Sequence, residues 1–328
     1  MTAPLIETSQ LAVHFRTGSG TVRAVNDVSL AVRPGETVGL VGESGCGKST
    51  LGRAMMGLIP PSDGTIRFRG KDIIGRSDWS RLRRQTAMIF QDPLNSLNPR
   101  ARVGDILAEV LQVHGKASGP QLRSRVDELL TLVGLRPEFA DRRPGTLSGG
   151  QCQRVGIARA LAIEPKLVIA DECVAALDVS IQAQIINLLI ELKERMGLSL
   201  IFIAHDLALV RRLCDRVAVM YLGRIVEEGP IEQVFNRPLH PYAEALIQAI
   251  PEIDPDRPLP MPSLKGEPPS PLRLPQGCAL HPRCPKVFSS CASGHPPDLI
   301  PTGDRSVACH LHHPMTAPAE QHKEPVHV

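Results

Sequence analysis

Short apolar segments alternate along the chain with segments in which apolar residues recur at helical spacing. Alternating apolar positions within residues 3–37 predict antiparallel strands that end at the turn Pro34-Gly35. Continuous apolar runs predict buried strands at Val38–Val41, Ala87–Phe90, Leu167–Ala170 and Leu198–Ala204. Helical spacing predicts helices at Lys48–Leu58, within 103–135, and at Gly156–Ile163, Ile181–Arg195 and Leu207–Leu213. This alternation predicts an α/β fold around a largely parallel sheet, with a helical subdomain at residues 92–160.

The composition changes near residue 250. Of the 30 prolines, 17 lie in the last 78 residues, together with seven of the 11 histidines. Because proline fixes φ and lacks a backbone donor, this segment is not expected to continue the same α/β core. We therefore divide the chain into an α/β domain at 1–235, a small Cys- and Pro-rich C-terminal module at 236–314, and a disordered tail at 315–328.

Composition also excludes several classes of function. The net charge of +3 and the 3% of aromatic residues argue against a nucleic-acid partner. The longest apolar run, Leu198–Ala204, is far shorter than the roughly 20 residues of a membrane-spanning helix. The first ten residues lack the basic-then-apolar order of a signal peptide. We expect a soluble cytosolic chain whose eight cysteines are thiols or metal ligands and not disulfides.

One stretch carries a strong chemical signal. Residues 42–49 match G-x-x-x-x-G-K-[ST], the pattern of a phosphate-binding loop. They follow the strand Val38–Val41 and run into the helix that begins at Lys48. Its glycines let backbone N–H groups point at phosphates, Lys48 would reach the β- and γ-phosphates, and Ser49 would offer a hydroxyl to Mg²⁺. Cys46 is expected to be inert filler. The predicted nucleotide-binding residues are Gly42, Ser44, Gly45, Cys46, Gly47, Lys48, Ser49 and Thr50, and the predicted ligand is a nucleoside triphosphate.

Further polar groups follow the ends of predicted strands. Asp171 would hold Mg²⁺ through water, and Glu172 would be the general base that deprotonates the attacking water. Gln91 would ligate Mg²⁺ or its water, and His205 would contact the γ-phosphate and hold the water of Glu172. Because parallel strands end at one edge of a sheet, these side chains are expected to meet. The predicted catalytic residues are Glu172, His205 and Lys48, and the predicted Mg²⁺ ligands are Ser49, Gln91 and Asp171.

A second anion site is predicted at Leu147-Ser148-Gly149-Gly150-Gln151, hereafter the signature, where a serine and two glycines precede a helix. One nucleotide does not need two phosphate sites in one chain. Two chains packed head to tail would use both, because each signature would close over the phosphate loop of its partner. With this set of motifs, residues 5–235 resemble the ABC-type ATPases, whose nucleotide sites lie at a dimer interface.

The resemblance implies a P-loop ABC-type nucleotide-binding domain, with antiparallel N-terminal strands in a mixed sheet and a helical subdomain. It implies ATP hydrolysis with Mg²⁺, and it identifies Ala176-Leu177-Asp178 as the D-loop, with Asp178 as its acid. The ABC pattern also places an aromatic residue just before the second N-terminal strand. Phe15 is therefore a candidate for stacking on adenine, and a core Phe on a strand is the competing interpretation.

A narrower resemblance is carried by flanking sequence. Residues 91–99, Gly150–Arg154 and Arg237–Tyr242 are similar to the ATPase subunits of bacterial oligopeptide and dipeptide importers. This implies a second ATPase subunit as a heterodimer partner, two membrane permeases and, indirectly, a substrate-binding protein, at the cytoplasmic face of the inner membrane. Nickel or opine import by the same machinery, and a soluble ABC ATPase without a transport role, are the alternatives. An ATP-binding regulatory module is disfavoured by Asp171, Glu172 and His205.

The chain departs from the ABC pattern after Glu172. Many ABC ATPases carry Pro-Thr-Ser where this chain has Cys173-Val174-Ala175. Loss of the proline could loosen Glu172, and loss of the hydroxyl removes a candidate cap for the next helix. Since both carboxylates remain, we expect hydrolysis to be slower or unchanged and not abolished.

Four cysteines lie in the Pro-rich segment, spaced C-x5-C-x6-C-x17-C. This is not the C-x2-C pairing of a zinc ribbon, so spacing alone is a weak metal signal. A segment with little core of its own nevertheless favours a metal staple, and free thiols are the alternative. Similarity to peptide-importer ATPases implies a [4Fe–4S] cluster, with zinc as second choice. The implied ligands are Cys278, Cys284, Cys291 and Cys309.

Overall fold

The computed structural model describes residues 3–250 and 264–312 of the 328-residue chain. The strands are β1 Ile6–Thr17, β2 Gly20–Val32, β3 Thr37–Val41, β4 Asp63–Phe68, β5 Lys71–Asp72, β6 Thr86–Ile89, β7 Leu167–Asp171, β8 Ser199–Ile203, β9 Arg216–Tyr221, β10 Arg224–Pro230, β11 Ile300–Thr302 and β12 Arg305–Val307. The α-helices are α1 Lys48–Met55, α2 Arg76–Arg83, α3 Pro93–Ser96, α4 Val103–Val113, α5 Gln121–Leu132, α6 Gly149–Leu161, α7 Val179–Met196, α8 Leu207–Leu213, α9 Ile231–Asn236 and α10 Pro241–Gln248. Short 3-10 helices cover Pro137–Asp141, Pro144–Thr146 and Ser289–Cys291.

The main sheet has the strand order β11-β12-β10-β9-β3-β8-β7-β6. Its five strands β9, β3, β8, β7 and β6 are parallel, as the apolar runs predict, and the remaining three are antiparallel additions. Alternate residues of β7 pack into two different hydrophobic clusters, so both faces of this strand are covered. The carboxyl ends of β3, β6, β7 and β8 meet at one edge.

The N-terminal strands do not join this sheet. They form a second, wholly antiparallel sheet in the order β2-β1-β4-β5. The expectation that they share the mixed sheet is therefore wrong. The reason is that β1 pairs with β2 on one side and with β4 on the other, so both of its edges are already hydrogen-bonded.

Helices α3 to α6 form the helical subdomain, and their apolar faces pack into one cluster with β6 and β7. Helix α6 begins at Gly149, seven residues before the Gly156 start that apolar spacing predicts. The earlier start has a local cause, because Ser148 caps the helix and its first residues are glycines and glutamine without an apolar face.

The C-terminal segment packs directly against the α/β core, and the division of the chain at residue 235 remains a prediction. Strand β12 pairs with β10, and Ala308 N–H donates to Val226 O at 2.8 Å. The proline-rich composition permits this because the two added strands are only three residues long and lie at the sheet edge. The predicted tail at 315–328 lies outside the described residues. Among the described helices, none has the length and apolar character needed to cross a bilayer.

Candidate active site

The phosphate loop follows the fully buried strand β3 and ends where α1 begins at Lys48. Gly42 and Gly47 adopt φ values of 150° and 110°. A Cβ atom on Gly42 would lie 2.1 Å from Met220 O, and one on Gly47 would lie 2.0 Å from Ala24 O. Since these neighbours are backbone atoms that cannot rotate away, only glycine fits at either position. The close packing against these backbone oxygens thus requires the curled loop that the sequence predicts.

Lys48 lies across the loop that precedes it. Its Nζ donates to Gly42 O at 2.9 Å and to Glu43 O at 3.0 Å, and the residue is 3% exposed. Cys46 is also buried beneath the loop, and burial raises the pKa of its thiol. Cys46 Sγ lies 3.8 Å from Lys48 Nζ, and the inert role expected of Cys46 remains a prediction. Lys48 is placed beside the backbone that would receive phosphates.

The hydroxyl of Ser49 donates to Asp171 Oδ1 at 2.6 Å, which joins the start of α1 to the end of β7. Asp171 is almost fully buried, and burial raises the pKa of its carboxyl against the opposing effects of Ser49 and Arg53. Its Oδ2 has no hydrogen bond, and Arg53 Nη2 lies 3.5 Å from it. A hydroxyl and a carboxylate with an unused oxygen are donors that suit Mg²⁺, so these residues fit that ion.

Glu172 is held at the same edge by two side chains. Gln91 Nε2 donates to its Oε2 at 2.7 Å, and His205 Nε2 lies 2.5 Å from its Oε1. Glu172 has a positive φ of 47°, and its N–H donates to Ile203 O at 2.9 Å. This left-handed conformation interrupts the alternation of β7 directly after Asp171 and is unfavourable for a non-glycine residue. The three strand-end groups therefore meet, as the parallel sheet predicts.

The Cys173-Val174-Ala175 departure does not leave this loop unanchored. Cys173 is buried, and burial raises the pKa of its thiol to about 12. The Ala175 N–H donates to Glu172 O at 3.1 Å. Gln182 Nε2 donates to Val174 O at 3.1 Å and to Leu177 O at 3.0 Å. These bonds anchor the loop that follows Glu172 to the start of α7.

The signature lies at the start of α6 and is exposed at Ser148 and Gly149. Gln151 N–H donates to Ser148 Oγ at 3.3 Å, while Ser148 N–H donates to Gln151 Oε1 at 3.0 Å. This capping box occupies two of the N–H groups and leaves the end of the helix open to solvent. Within residues 3–250 and 264–312, no hydrogen bond or ion pair joins the signature to the phosphate loop of the same chain.

Two other predicted residues lie on the surface. Phe15 is on β1 opposite Val22 and is 39% exposed, so the interpretation as a core residue is wrong. Asp178 is exposed at the N-cap of α7, and its side chain makes no capping hydrogen bond. Both side chains are available to a ligand or a partner.

The four C-terminal cysteines come close enough to influence one another electrostatically. Main-chain N–H groups of Leu280, Lys286 and Leu311 bond to the thiols of Cys278, Cys284 and Cys309 respectively, and burial raises the pKa of all three thiols. Among the described residues, however, no group of three or more His, Cys, Asp or Glu side chains has an arrangement that could hold a metal ion. The residues as placed do not fit the predicted metal.

Sequence reasoning missed the groups that contact the phosphate loop from far along the chain. Tyr242 and Arg283 both bond to Glu43. Tyr242 closes a proline-containing stretch that reads as a structural linker, and Arg283 is one residue before Cys284. No local pattern could indicate partners that are about 200 residues or more away in the chain.

Two family models match the chain. One, described as "ABC transporter", matches residues 25–175, and the other, described as "Oligopeptide/dipeptide transporter, C-terminal region", matches residues 226–291. The chain is 51% identical over 306 residues to the oligopeptide transport ATP-binding protein OppF of Salmonella typhimurium, a match that covers 89% of this chain and 92% of that protein. It is 47% identical over 319 residues to OppF of Haemophilus influenzae, covering 93% and 96% respectively.

Solved structures agree with this match. The dimeric ATP-binding cassette MJ0796, in a post-hydrolysis state bound to ADP and Pi, is 29% identical with a TM-score of 0.63 and covers 69% of this chain and 98% of its own. The protein cbiO1 of Clostridium perfringens, part of the ABC transporter complex cbiONQ, is 33% identical with a TM-score of 0.64 and covers 71% and 91%.

Proposed function

The chain belongs to the family of ABC transporter ATP-binding proteins, and we propose that it hydrolyses ATP to drive the import of di- and oligopeptides across the cytoplasmic membrane. One observation supports the chemistry above all others: Glu172, with Gln91 and His205 bonded to its two carboxylate oxygens, lies at the sheet edge beside the phosphate loop. The peptide substrate is supported by similarity to oligopeptide transport proteins over most of the chain.

In the proposed reaction, the phosphate loop binds ATP, and Lys48 exchanges the carbonyls of Gly42 and Glu43 for phosphate oxygens. Glu172 takes a proton from water as the water oxygen attacks the γ-phosphorus. The bond from that phosphorus to the bridging oxygen breaks, and ADP and phosphate leave. His205 orients the water. Ser49, Asp171 and the amide carbonyl of Gln91 would hold Mg²⁺, which offsets phosphate charge when bound.

We place the remaining predicted residues around this reaction. The exposed ring of Phe15 would stack on adenine. The signature would cap the γ-phosphate of the other subunit, because its helix N-terminus is exposed and makes no contact with its own phosphate loop among the described residues. Asp178, exposed at the start of α7, would line the same subunit interface. A second ATPase subunit, forming a heterodimer, supplies the matching half-sites.

The permease contact is proposed at a groove of about 750 Å³ between α1 and the helical subdomain. The groove is lined by apolar and basic residues and includes Gln91. Leu58 and Leu94 are exposed on this side of the molecule, 51% and 49% respectively. A groove that ends at Gln91 would connect a permease helix to the group that bonds Glu172. This arrangement supports a peripheral position at the cytoplasmic face of the inner membrane, beneath two permeases fed by a binding protein.

The transport proposal is tested by deleting the gene in its host and measuring uptake of a labelled tripeptide. We expect uptake to fall and to be restored by the wild-type gene but not by Glu172→Gln. Nickel uptake in the same strains serves as the control for the alternative cargo. Unchanged tripeptide uptake in the deletion strain would contradict the peptide assignment while leaving the ATPase assignment intact.

A [4Fe–4S] cluster at Cys278, Cys284, Cys291 and Cys309 is a further proposal. It rests on the family match across three of these residues and not on the geometry, since the described side chains have no arrangement that could hold a metal. Zinc is the second choice. Iron, sulfide and zinc are assayed in anaerobically purified protein. A colourless, zinc-loaded or metal-free preparation would contradict the cluster.

A further inference from the structure

Glu43, the second residue of the phosphate loop, is held by the C-terminal segment through both its backbone and its side chain. Its N–H donates to Tyr242 Oη at 2.7 Å. Its carboxylate accepts from Arg283 Nη1 and Nη2, each at 3.0 Å, in a bidentate pair. The two partners are 199 and 240 residues away in sequence.

These contacts are buried at the Arg283 and Tyr242 ends, whereas the Glu43 side chain is 28% exposed. The Arg283 side chain is only 8% exposed, and Tyr242 is fully buried. The rings of Tyr221 and Tyr242 lie 4.6 Å apart, and Arg283 Nη1 is 3.4 Å from Tyr221 Oη. A bidentate guanidinium–carboxylate pair with one buried partner is stronger and more directional than a fully exposed pair.

Glu43 links this pair to the anion site. Its carbonyl accepts from Lys48 Nζ at 3.0 Å, so the same residue touches both the C-terminal segment and the phosphate-binding lysine. A carboxylate within an anion-binding loop would repel a polyphosphate unless its charge were cancelled. Arg283 supplies the cancelling charge and fixes the carboxylate to one side of the loop.

We propose that Arg283 and Tyr242 are positioning residues for the nucleotide. They hold the phosphate loop in its ATP-binding conformation from the C-terminal segment, and Arg283 removes the repulsion that Glu43 would exert. The inference rests on the proposed ATP binding and extends it, since it makes a segment outside the ATPase core part of the nucleotide site.

The test is the ATP dependence of turnover in the full chain, with ATP binding measured separately by calorimetry. For Arg283→Met we expect the KM and Kd for ATP to rise about tenfold while kcat changes by less than about twofold. Adding Glu43→Gln to Arg283→Met removes the uncancelled charge and should restore most of the lost affinity. A residue that only supports folding would not show this rescue. Equal affinities of Arg283→Met and wild type would overturn the proposal.

Arg305→Met is the matched control. Arg305 also forms a buried pair in the C-terminal segment, with Glu227 at 3.3 Å, but does not contact the phosphate loop. We expect a lower Tm with ATP affinity unchanged within about twofold. An equal loss of affinity in Arg305→Met would assign the effect to folding and overturn the proposal.

Tyr242→Phe covers the case in which Arg283→Met fails to fold. It removes one hydroxyl, keeps the ring packed on Tyr221, and leaves Glu43 N–H without its acceptor. We expect ATP affinity to fall about threefold, and no change would contradict the proposal. If wild-type protein binds ATP but does not hydrolyse it, the proposed function fails while the binding arms still test this inference.

Discussion

The phosphate loop and the signature are both glycine-rich turns that lead into a helix, yet their surroundings differ. Around the phosphate loop, Ser49, Asp171 and Glu172 already contact one another or their supporting side chains. Among the described residues, the side-chain hydrogen bonds of the signature are those of its own capping box, and Ser148 and Gly149 are exposed. The phosphate-loop region therefore brings together the groups suited to the proposed chemistry, whereas the signature presents an exposed helix N-terminus that we propose acts on the nucleotide of another subunit.

The largest effect on ATP affinity is expected from Lys48→Ala, which removes a group of the phosphate loop and leaves the signature unchanged. Removing a buried cation that would contact two phosphates should lower ATP affinity by about a hundredfold or more. Isothermal titration calorimetry with ATP measures this affinity. Lys116→Ala is the control, because Lys116 forms a partly exposed pair with Glu164 at 2.9 Å and should bind ATP normally. ATP affinity of Lys48→Ala close to wild type would refute the assignment of Lys48.

Glu172→Gln, also beside the phosphate loop, should separate ATP binding from ATP hydrolysis. Gln cannot accept a proton from water, so turnover should fall by about 10²–10⁴-fold while ATP still binds. The unhydrolysed ATP should accumulate a closed dimer with the partner subunit, detected by size-exclusion chromatography with light scattering. Near-normal turnover in this variant would refute the assignment of Glu172 as the general base.

Ser148→Asp tests the role of the signature without changing the phosphate loop. Asp is as good an N-cap as Ser, so α6 should remain stable, but its charge would face the partner's γ-phosphate. We expect unchanged ATP binding by the isolated chain and a loss of about tenfold or more in the turnover of the assembled pair. Loss of ATP binding by the isolated chain would contradict the separation of the two regions.

The smallest effect concerns the loop that follows Glu172 and how well it shields Cys173 from solvent. With a pKa of about 12 and almost no exposure, Cys173 should have a thiolate fraction of about one in ten thousand near pH 8. Iodoacetamide should therefore label Cys173 slowly in the folded chain and rapidly in urea. Mass spectrometry measures the extent of labelling. Since thiolate grows as pH rises toward the pKa, labelling should increase with pH. Rapid labelling of the folded chain would show that the loop after Glu172 opens.

Local patterns predicted the parallel strands and the residues that meet at their carboxyl ends, because strand burial and the phosphate loop depend on neighbouring sequence. They did not predict the second sheet, since strand partners are set by edges that form elsewhere. Nor did they predict that β12 would extend the main sheet, or that Arg283 would pair with Glu43. These contacts depend on long-range packing. The left-handed conformation of Glu172 is likewise not encoded by its residue type.

The central claim is that this chain carries two half-sites, each of which becomes a working site only when a partner chain supplies the complementary half. The most direct measurement compares ATP bound and ATP hydrolysed per chain, across a dilution series and with the partner ATPase added. We predict one ATP bound per chain at every dilution, with turnover that is low for the monomer and rises when the pair assembles. Full turnover by chains that light scattering shows to be monomeric would contradict the claim.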